Sequence, residues 1–367
     1  MSEAAVAKSL QGFKTWLVRD AYPLWSERGR DEAGGWIDRI GLDGRAVAGP
    51  QRARVQARQA YAFAVAPAFG WSGDWRAAMR RGLDQLREAY RRPDGLYRTA
   101  PGAGGAADLY DQAFVLFALA FAHRAGEDGA APAAEDLLSR LAPNPRGGFA
   151  ELDGPALEAN PNMHLFEAFM AWSEAGGGTV WGSLADRQAE LVATCLLDAG
   201  SGAVVEHFGP DWTLPAAPSD RVVDPGHQFE WAWLLLRWSQ AAGRARDLRT
   251  GLGLIELAER AGVDPARGVA MAALDGDLAP TDRSARLWSQ TERLKANVLA
   301  ARLTGDPGCW AAAEAACETL RRYLDVPVAG LWRDRMLADG GFVDEPAPAS
   351  SFYHLILAFQ ELDRLVG

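Results

Sequence analysis

The feature of this chain that most restricts its fold is a regular exchange between two kinds of helical segment. Stretches such as Asp111–Ala122 and Phe229–Trp238 are apolar nearly all round, the pattern of a helix covered on most sides. Others, such as Trp71–Arg92 and Pro307–Leu324, carry a polar stripe and so present one face to water. Apolar spacing predicts helices at Ala4–Asp20, Gln51–Phe69, Trp71–Arg92, Asp108–Ala125, Ala131–Leu141 and Asn160–Ala175. A second series is predicted at Trp181–Leu197, Pro225–Ala242, Arg246–Ala261, Arg286–Thr304, Pro307–Leu324 and Ser350–Leu365. Loops marked by Gly, Pro and Asp separate them, and strand-like alternation is scarce. A repeated pair of one inner and one outer helix closes into a ring, so the expectation is an all-α (α/α)6 barrel formed as a single domain over residues 1–367. An open solenoid of helical pairs is the structural rival.

Composition removes several classes of function. A formal charge of -10, with no basic run, offers no footprint for a phosphate backbone or an anionic membrane surface. No segment approaches the apolar length of a bilayer span, and Met1–Phe13 lacks a secretory-type apolar run, which points to a cytoplasmic protein. Cys195, Cys309 and Cys317 form an odd, widely spaced set without a CxxC pattern, so neither a disulfide framework nor a thiolate zinc site is indicated. The Gly-rich stretch Gly102–Ala106 follows no strand and matches neither phosphate-loop spacing, and no HExxH pair is present; the expectation is no cofactor and no metal.

Five histidines are few enough to consider singly. Asp224 is placed to cap a helix, Pro225 suits its first position, and His227 then falls in the first turn. Asn160 and His164 repeat the arrangement, with Asn160 as the expected cap, and Ser350 to His354 repeats it without proline. The positive end of a helix dipole disfavours an imidazolium, so all three rings are expected to be neutral near pH 7 and able to accept a proton. If inner helices point the same way around a barrel, their starts converge on one mouth and bring these distant histidines into one pocket. His123, late in its helix, and His207, in a loop, are assigned to structure or surface. Trp231, Trp233 and Trp288 fall near inner-helix starts, where an indole face suits a sugar. Arg58, Tyr110, Asn160, Gln228, Glu230, Gln290 and Glu292 lie at the same level and are candidates to hydrogen-bond a polyol.

Six segments in register carry a resemblance: Val55–Phe63 around Arg58, Asp108–Phe114 around Tyr110, Asn160–His164, Pro225–Trp233 around His227 and Glu230, Arg286–Glu292 around Trp288 and Gln290, and Ser351–His354. Together they resemble the N-acylglucosamine 2-epimerase family, which includes cellobiose 2-epimerases and aldose–ketose isomerases acting on mannose or sulfoquinovose. The resemblance implies an (α/α)6 barrel and proton transfer on a ring-opened sugar. By motif position, His227 and His354 match the family's acid/base pair, and Arg58, Tyr110, Asn160, His164 and Glu230 match substrate-contacting or supporting positions. Where many relatives have tryptophan, four residues before Arg58, this chain has Arg54, a cationic donor that suits an anionic sugar or a solvated surface equally.

The expected reaction is removal of the C2 proton of an open-chain aldose such as mannose by one histidine, giving a cis-enediol. Return of the proton to C1 yields a ketose, and delivery to the opposite face of C2 yields the epimer. His354 is expected to be the base and His227 its partner, with Glu230 tuning that partner and Arg58 stabilising charge on oxygen. A monomer or a homodimer is compatible with such a toroid. The rivals are a glycoside hydrolase on the same barrel, with Glu230 and Glu292 as its carboxyl pair, and a barrel that binds sugar without chemistry.

Overall fold

The computed structural model describes residues 3–102, 105–152, 154 and 157–367, so residues 103 and 104 of the Gly102–Ala106 stretch lie outside the described residues. The first outer element runs from α1 (Glu3–Trp16) through a five-residue π turn into α2 (Tyr22–Arg28). Inner and outer helices then alternate. α3 (Ala53–Ala64) is inner, α4 (Trp75–Gln85) outer, α5 (Leu109–Arg124) inner, α6 (Ala130–Leu138) outer, α7 (Ala159–Glu174) inner and α8 (Thr179–Leu191) outer. The last three pairs are α9 (Pro225–Ala242) with α10 (Ala245–Leu257), α11 (Leu287–Thr304) with α12 (Pro307–Leu324), and α13 (Ser350–Val366), which packs against α1. Each inner helix touches the next, and α13 returns to α3, which closes an (α/α)6 barrel and removes the open solenoid.

The two kinds of segment are separated by burial. In α11, fourteen residues from Leu287 to Ala301 are buried, whereas α4 buries only Ala78, Met79 and Gly82. Glycine sets one close approach. A Cβ on Gly82 would sit 2.4 Å from the Gln56 carbonyl oxygen, so only glycine lets α4 lie this near α3.

A motif repeated around the ring fixes the level of the inner helices. Five outer elements are followed by a tight antiparallel turn, bridged at Arg30–Trp36, Arg91–Tyr97, Pro143–Phe149, Leu197–Val204 and Val263–Ala270. Each turn contains a positive-φ glycine: Gly34, Gly95, Gly147, Gly202 and Gly268. The last residue of each turn is then held by a side-chain amide in the first turn of the following inner helix. Gln56, Gln112, Asn162, Gln228 and Gln290 each accept from its backbone N–H and donate to its carbonyl, at 2.8–2.9 Å. A primary amide has one donor edge and one acceptor edge, so it satisfies both groups of one buried peptide position in a single contact. Leaving either group unpaired costs about 1–3 kcal/mol, which makes these five positions the pins of the toroid.

The twelve expected helical segments are all present, with local differences. Ala4–Asp20 extends through the π turn and α2 to Arg28, with Pro23 in the first turn after the π segment. The segment expected at Gln51–Phe69 is an α-helix only to Ala64 and ends as a 3-10 turn at Ala66–Phe69. The helix expected from Trp71 begins at Trp75, because Asp74 caps it by accepting from the Ala77 N–H. The short turns between helices went unpredicted, being too brief for alternation to register.

Candidate active site

The first two turns of all six inner helices surround one cavity of about 320 Å³. Its walls bring together Arg54 and Arg58 from α3, Tyr110 from α5, Asn160 and His164 from α7, His227 and Glu230 from α9, Trp288 from α11, and Ser350, Ser351 and His354 from α13; Arg52, Asp224 and Arg286 complete the rim. Nine of the ten expected site residues therefore meet. The exception is Gln290, whose amide is committed to the backbone of Ala270 beneath the cavity. Gln228 is committed in the same way to Val204, and Trp231 and Trp233 are core residues without exposed surface. His123 packs at a tilt against Trp172, and His207 is exposed beside Glu158 at 3.8 Å.

His227 and His354 share one neighbour. Their rings lie 4.9 and 5.5 Å from that of Trp288, which places two imidazoles around a single indole. Gly226 permits this arrangement, since a Cβ there would meet the Trp288 ring at 2.7 Å and the Ser289 hydroxyl oxygen at 2.6 Å. Asp224 caps α9 by accepting from the Gly226 N–H at 2.7 Å, as its place before Pro225 predicted. Asn160 is not a cap: α7 begins at Ala159, and the Asn160 Oδ1 is buried at the cavity without a hydrogen-bond partner among the described residues.

The three rings do not share one electrostatic state, which corrects the expectation from helix dipoles. Burial opposes the charged form of His227, but Glu206, with Oε2 3.0 Å from Nδ1, and Asp224 at 4.0 Å outweigh it and raise its pKa to about 10. His227 is therefore an imidazolium at neutral pH. Burial and the neighbouring Arg58 drive His354 well below the usual imidazole range, and burial takes His164 down to about 4. Those two rings are neutral as expected, though burial rather than the dipole is the main cause. Glu206 lies in the loop before α9 and had no signal in the sequence pattern.

Behind the cavity lies a buried charged layer. His354 Nδ1 is 2.8 Å from Glu292 Oε1, and His164 Nδ1 is 3.3 Å from Glu167 Oε2, which also accepts from the Tyr353 hydroxyl. Glu230 is buried with neither carboxyl oxygen hydrogen-bonded among the described residues; burial first, then Glu292, raises its pKa well above the ordinary carboxylate value. Burial also lifts Glu292, to about 7, against the pull of Lys295. Glu167 and Lys295 were missed in the sequence, although a charged residue inside a helix apolar on all sides is itself a signal.

On the rim, Arg54 is neutralised rather than free. Its guanidinium lies 3.1 Å from Asp111 and 3.6 Å from Asp108, and stacks over Tyr110 at 5.0 Å. Arg52 pairs with Asp38 and Arg286 with Asp334. Arg58 has no carboxylate partner among the described residues; it donates to the Tyr110 hydroxyl at 2.6 Å and lies over the Phe114 ring at 4.0 Å.

Two triads, His164–Glu167–Glu230 and Glu230–Glu292–His354, hold donor atoms within 4.8 Å, a spacing that also suits a divalent ion. Within them Glu167 accepts from the Tyr353 hydroxyl, and Glu292 Oε2 lies 2.6 Å from the Lys295 Nζ.

An (α/α)6 toroid that gathers three imidazoles at one mouth fits a carbohydrate isomerase or epimerase. Sequence and structure comparisons agree. The profile of the N-acylglucosamine 2-epimerase family matches residues 35–358. A protein of Rhizobium meliloti (strain 1021) named mannose-6-phosphate isomerase is 44% identical over 369 residues, covering 95% of each chain. A solved D-mannose isomerase superposes with a TM-score of 0.86 at 21% identity, covering 99% of this chain and 97% of its own. Cellobiose 2-epimerase from Bacillus thermoamylovorans B4167 gives 0.86 at 17% identity, covering 97% and 99%. The chain belongs to the N-acylglucosamine 2-epimerase family.

Proposed function

We propose that the protein interconverts an unphosphorylated aldose, mannose in particular, with its ketose through a cis-enediol. The observation that carries this reading is the pair of imidazoles beside one indole in opposite surroundings: His227 faces Glu206 at 3.0 Å, which raises its pKa, and His354 is buried near Arg58, which lowers it. A charged ring is an acid and a neutral one a base. His227 gives its proton to the ring oxygen and recovers one from the anomeric hydroxyl, which opens the sugar; His354 then takes the C2 proton and returns it to C1 as the hydrogen of the C2 hydroxyl passes to O1. Arg58 and Tyr110 stabilise the oxygen on which charge develops, while the unpaired Asn160 Oδ1 and Glu230 oxygens hold hydroxyls. Trp288 stacks on the sugar's apolar face, and Arg54 holds Tyr110 in place through its ring. The chemistry needs no metal or redox cofactor. Free cysteines and the lack of a bilayer-spanning helix among the described residues fit a cytoplasmic enzyme, working as a monomer or homodimer.

The name of the Rhizobium relative raises mannose 6-phosphate as a second substrate, and four arginines at the mouth favour it at first sight. Three of the four are already offset by Asp38, Asp111 with Asp108, and Asp334, which leaves little surplus charge for a dianion. Turnover of mannose and mannose 6-phosphate in heavy water tests both points. Mannose is expected to yield fructose with deuterium entering at C1. Faster turnover of the phosphate ester, or ketose formation without an exchangeable hydrogen under any condition, would overturn the substrate or the mechanism respectively.

A further inference from the structure

Lys295 lies in the third turn of α11 with no exposed side-chain surface. Its Nζ is 2.6 Å from Glu292 Oε2 and 3.8 Å above the buried Trp233 ring. The other oxygen of Glu292 is 2.8 Å from His354 Nδ1. Ammonium, carboxylate and imidazole thus form one line from the barrel core to the sugar cavity, and only its last member reaches the substrate. An ammonium without water is unfavourable unless it answers a specific anion. Three carboxyl groups, those of Glu167, Glu230 and Glu292, compete for it, and Glu292 is the one it contacts.

We propose that Lys295 is a positioning residue that keeps Glu292 ionised and thereby holds His354 as the Nδ1–H tautomer, with Nε2 free to receive the C2 proton; this rests on the isomerase reading above. An ionised Glu292 accepts from Nδ1–H and leaves the Nε2 lone pair open. Were Glu292 to take up a proton, its O–H would donate to Nδ1 and the ring hydrogen would move to Nε2. The pair would hold one hydrogen more, and the base would be gone. Other groups facing Glu292 do not select between these states in its favour. From α11, Thr291 donates weakly at 3.4 Å; from α7 and α9, Glu167 and Glu230 add only repulsion or a neutral acid; from α13, Tyr353 is engaged with Glu167; from α3, Arg58 acts on the imidazole.

The test uses Lys295→Met and Lys295→Gln, both of which remove the charge while the second keeps a hydrogen-bonding tip. In ¹⁵N-histidine-labelled protein, His354 is expected to show Nδ1–H in the wild type above pH 7.5 and Nε2–H in both variants at the same pH. The acidic limb of kcat is expected to move up by a unit or more, which lowers activity at pH 7 about tenfold or more, with recovery at higher pH and little change in KM. Folded variants that keep the wild-type tautomer and acidic limb would overturn the proposal, even if kcat fell. Should neither variant fold, ¹⁵N-lysine labelling of the wild type decides: Lys295 must stay an ammonium from pH 6 to 9, and a neutral amine would refute it. A tautomer switch in the variants of a wild type that turns over no sugar would remove the functional reading and leave this one standing.

Discussion

Glu206→Gln should convert a broad pH profile into a narrow one. In the folded protein the His227 pKa is about 10 because Glu206, at 3.0 Å, and Asp224, at 4.0 Å, together outweigh burial. Neutralising the nearer carboxylate leaves burial opposed mainly by Asp224, and the ring should fall to about its ordinary value of 6.5. At pH 8 the wild-type ring is about 99% protonated and the variant ring about 3%. If His227 is the acid that opens the sugar, kcat/KM at pH 8 drops about thirtyfold, close to 2 kcal/mol of barrier, whereas at pH 6 the loss is under about twofold. The assay is ketose formation from mannose between pH 5.5 and 9.5. Stability should follow the same linkage. A folded pKa raised above the unfolded value contributes stability fully below about pH 6.5 and loses it as pH rises through about 10. The gap in melting temperature between wild type and variant should therefore be widest near pH 6 and shrink toward pH 10. An unmoved basic limb of kcat/KM in a folded Glu206→Gln protein would refute the assignment of His227 as the acid.

Replacing His354 by Ala is expected to lower kcat by about a hundredfold or more while leaving helical content intact, as judged by circular dichroism; His227→Ala should do the same. Gln290→Ala should behave oppositely, with urea denaturation showing a loss of about 2–4 kcal/mol from two orphaned backbone groups and kcat/KM falling far less. Exhaustive chelation should leave turnover of mannose unchanged, and activity lost to chelator and restored only by a divalent ion would reassign the two buried triads to metal binding.

The site was legible in the sequence where local rules act. Asp224, Pro225 and Gly226 announce a helix start, and the cap places His227 one turn inside it, so that much follows from residues adjacent in the chain. The same rule misplaced the cap at Asn160, because the extended Glu158 precedes α7 two residues earlier than the pattern suggests. Gln228 and Gln290 sit at the predicted level but face the turns rather than the sugar. Their role becomes visible only when Gln56, Gln112 and Asn162 are seen making the same two bonds. Arg54 was ambiguous by type, and its pairing with Asp111 and Asp108 makes it neither solvated nor a free anion site.

Periodicity and helix-start chemistry, which depend on neighbours a few residues apart, were enough to specify twelve helical segments of two kinds; the choice of a closed ring over an open solenoid was made by the return of α13 to α3. What they left undetermined is the charge each ring carries. That depends on Glu292, 62 positions from His354, on Glu206 in a loop without a motif, and on Tyr353 reaching Glu167 across 186 positions. A pKa is set by distances of a few ångströms to groups from other elements and by exclusion of water, and neither quantity exists until the barrel has closed.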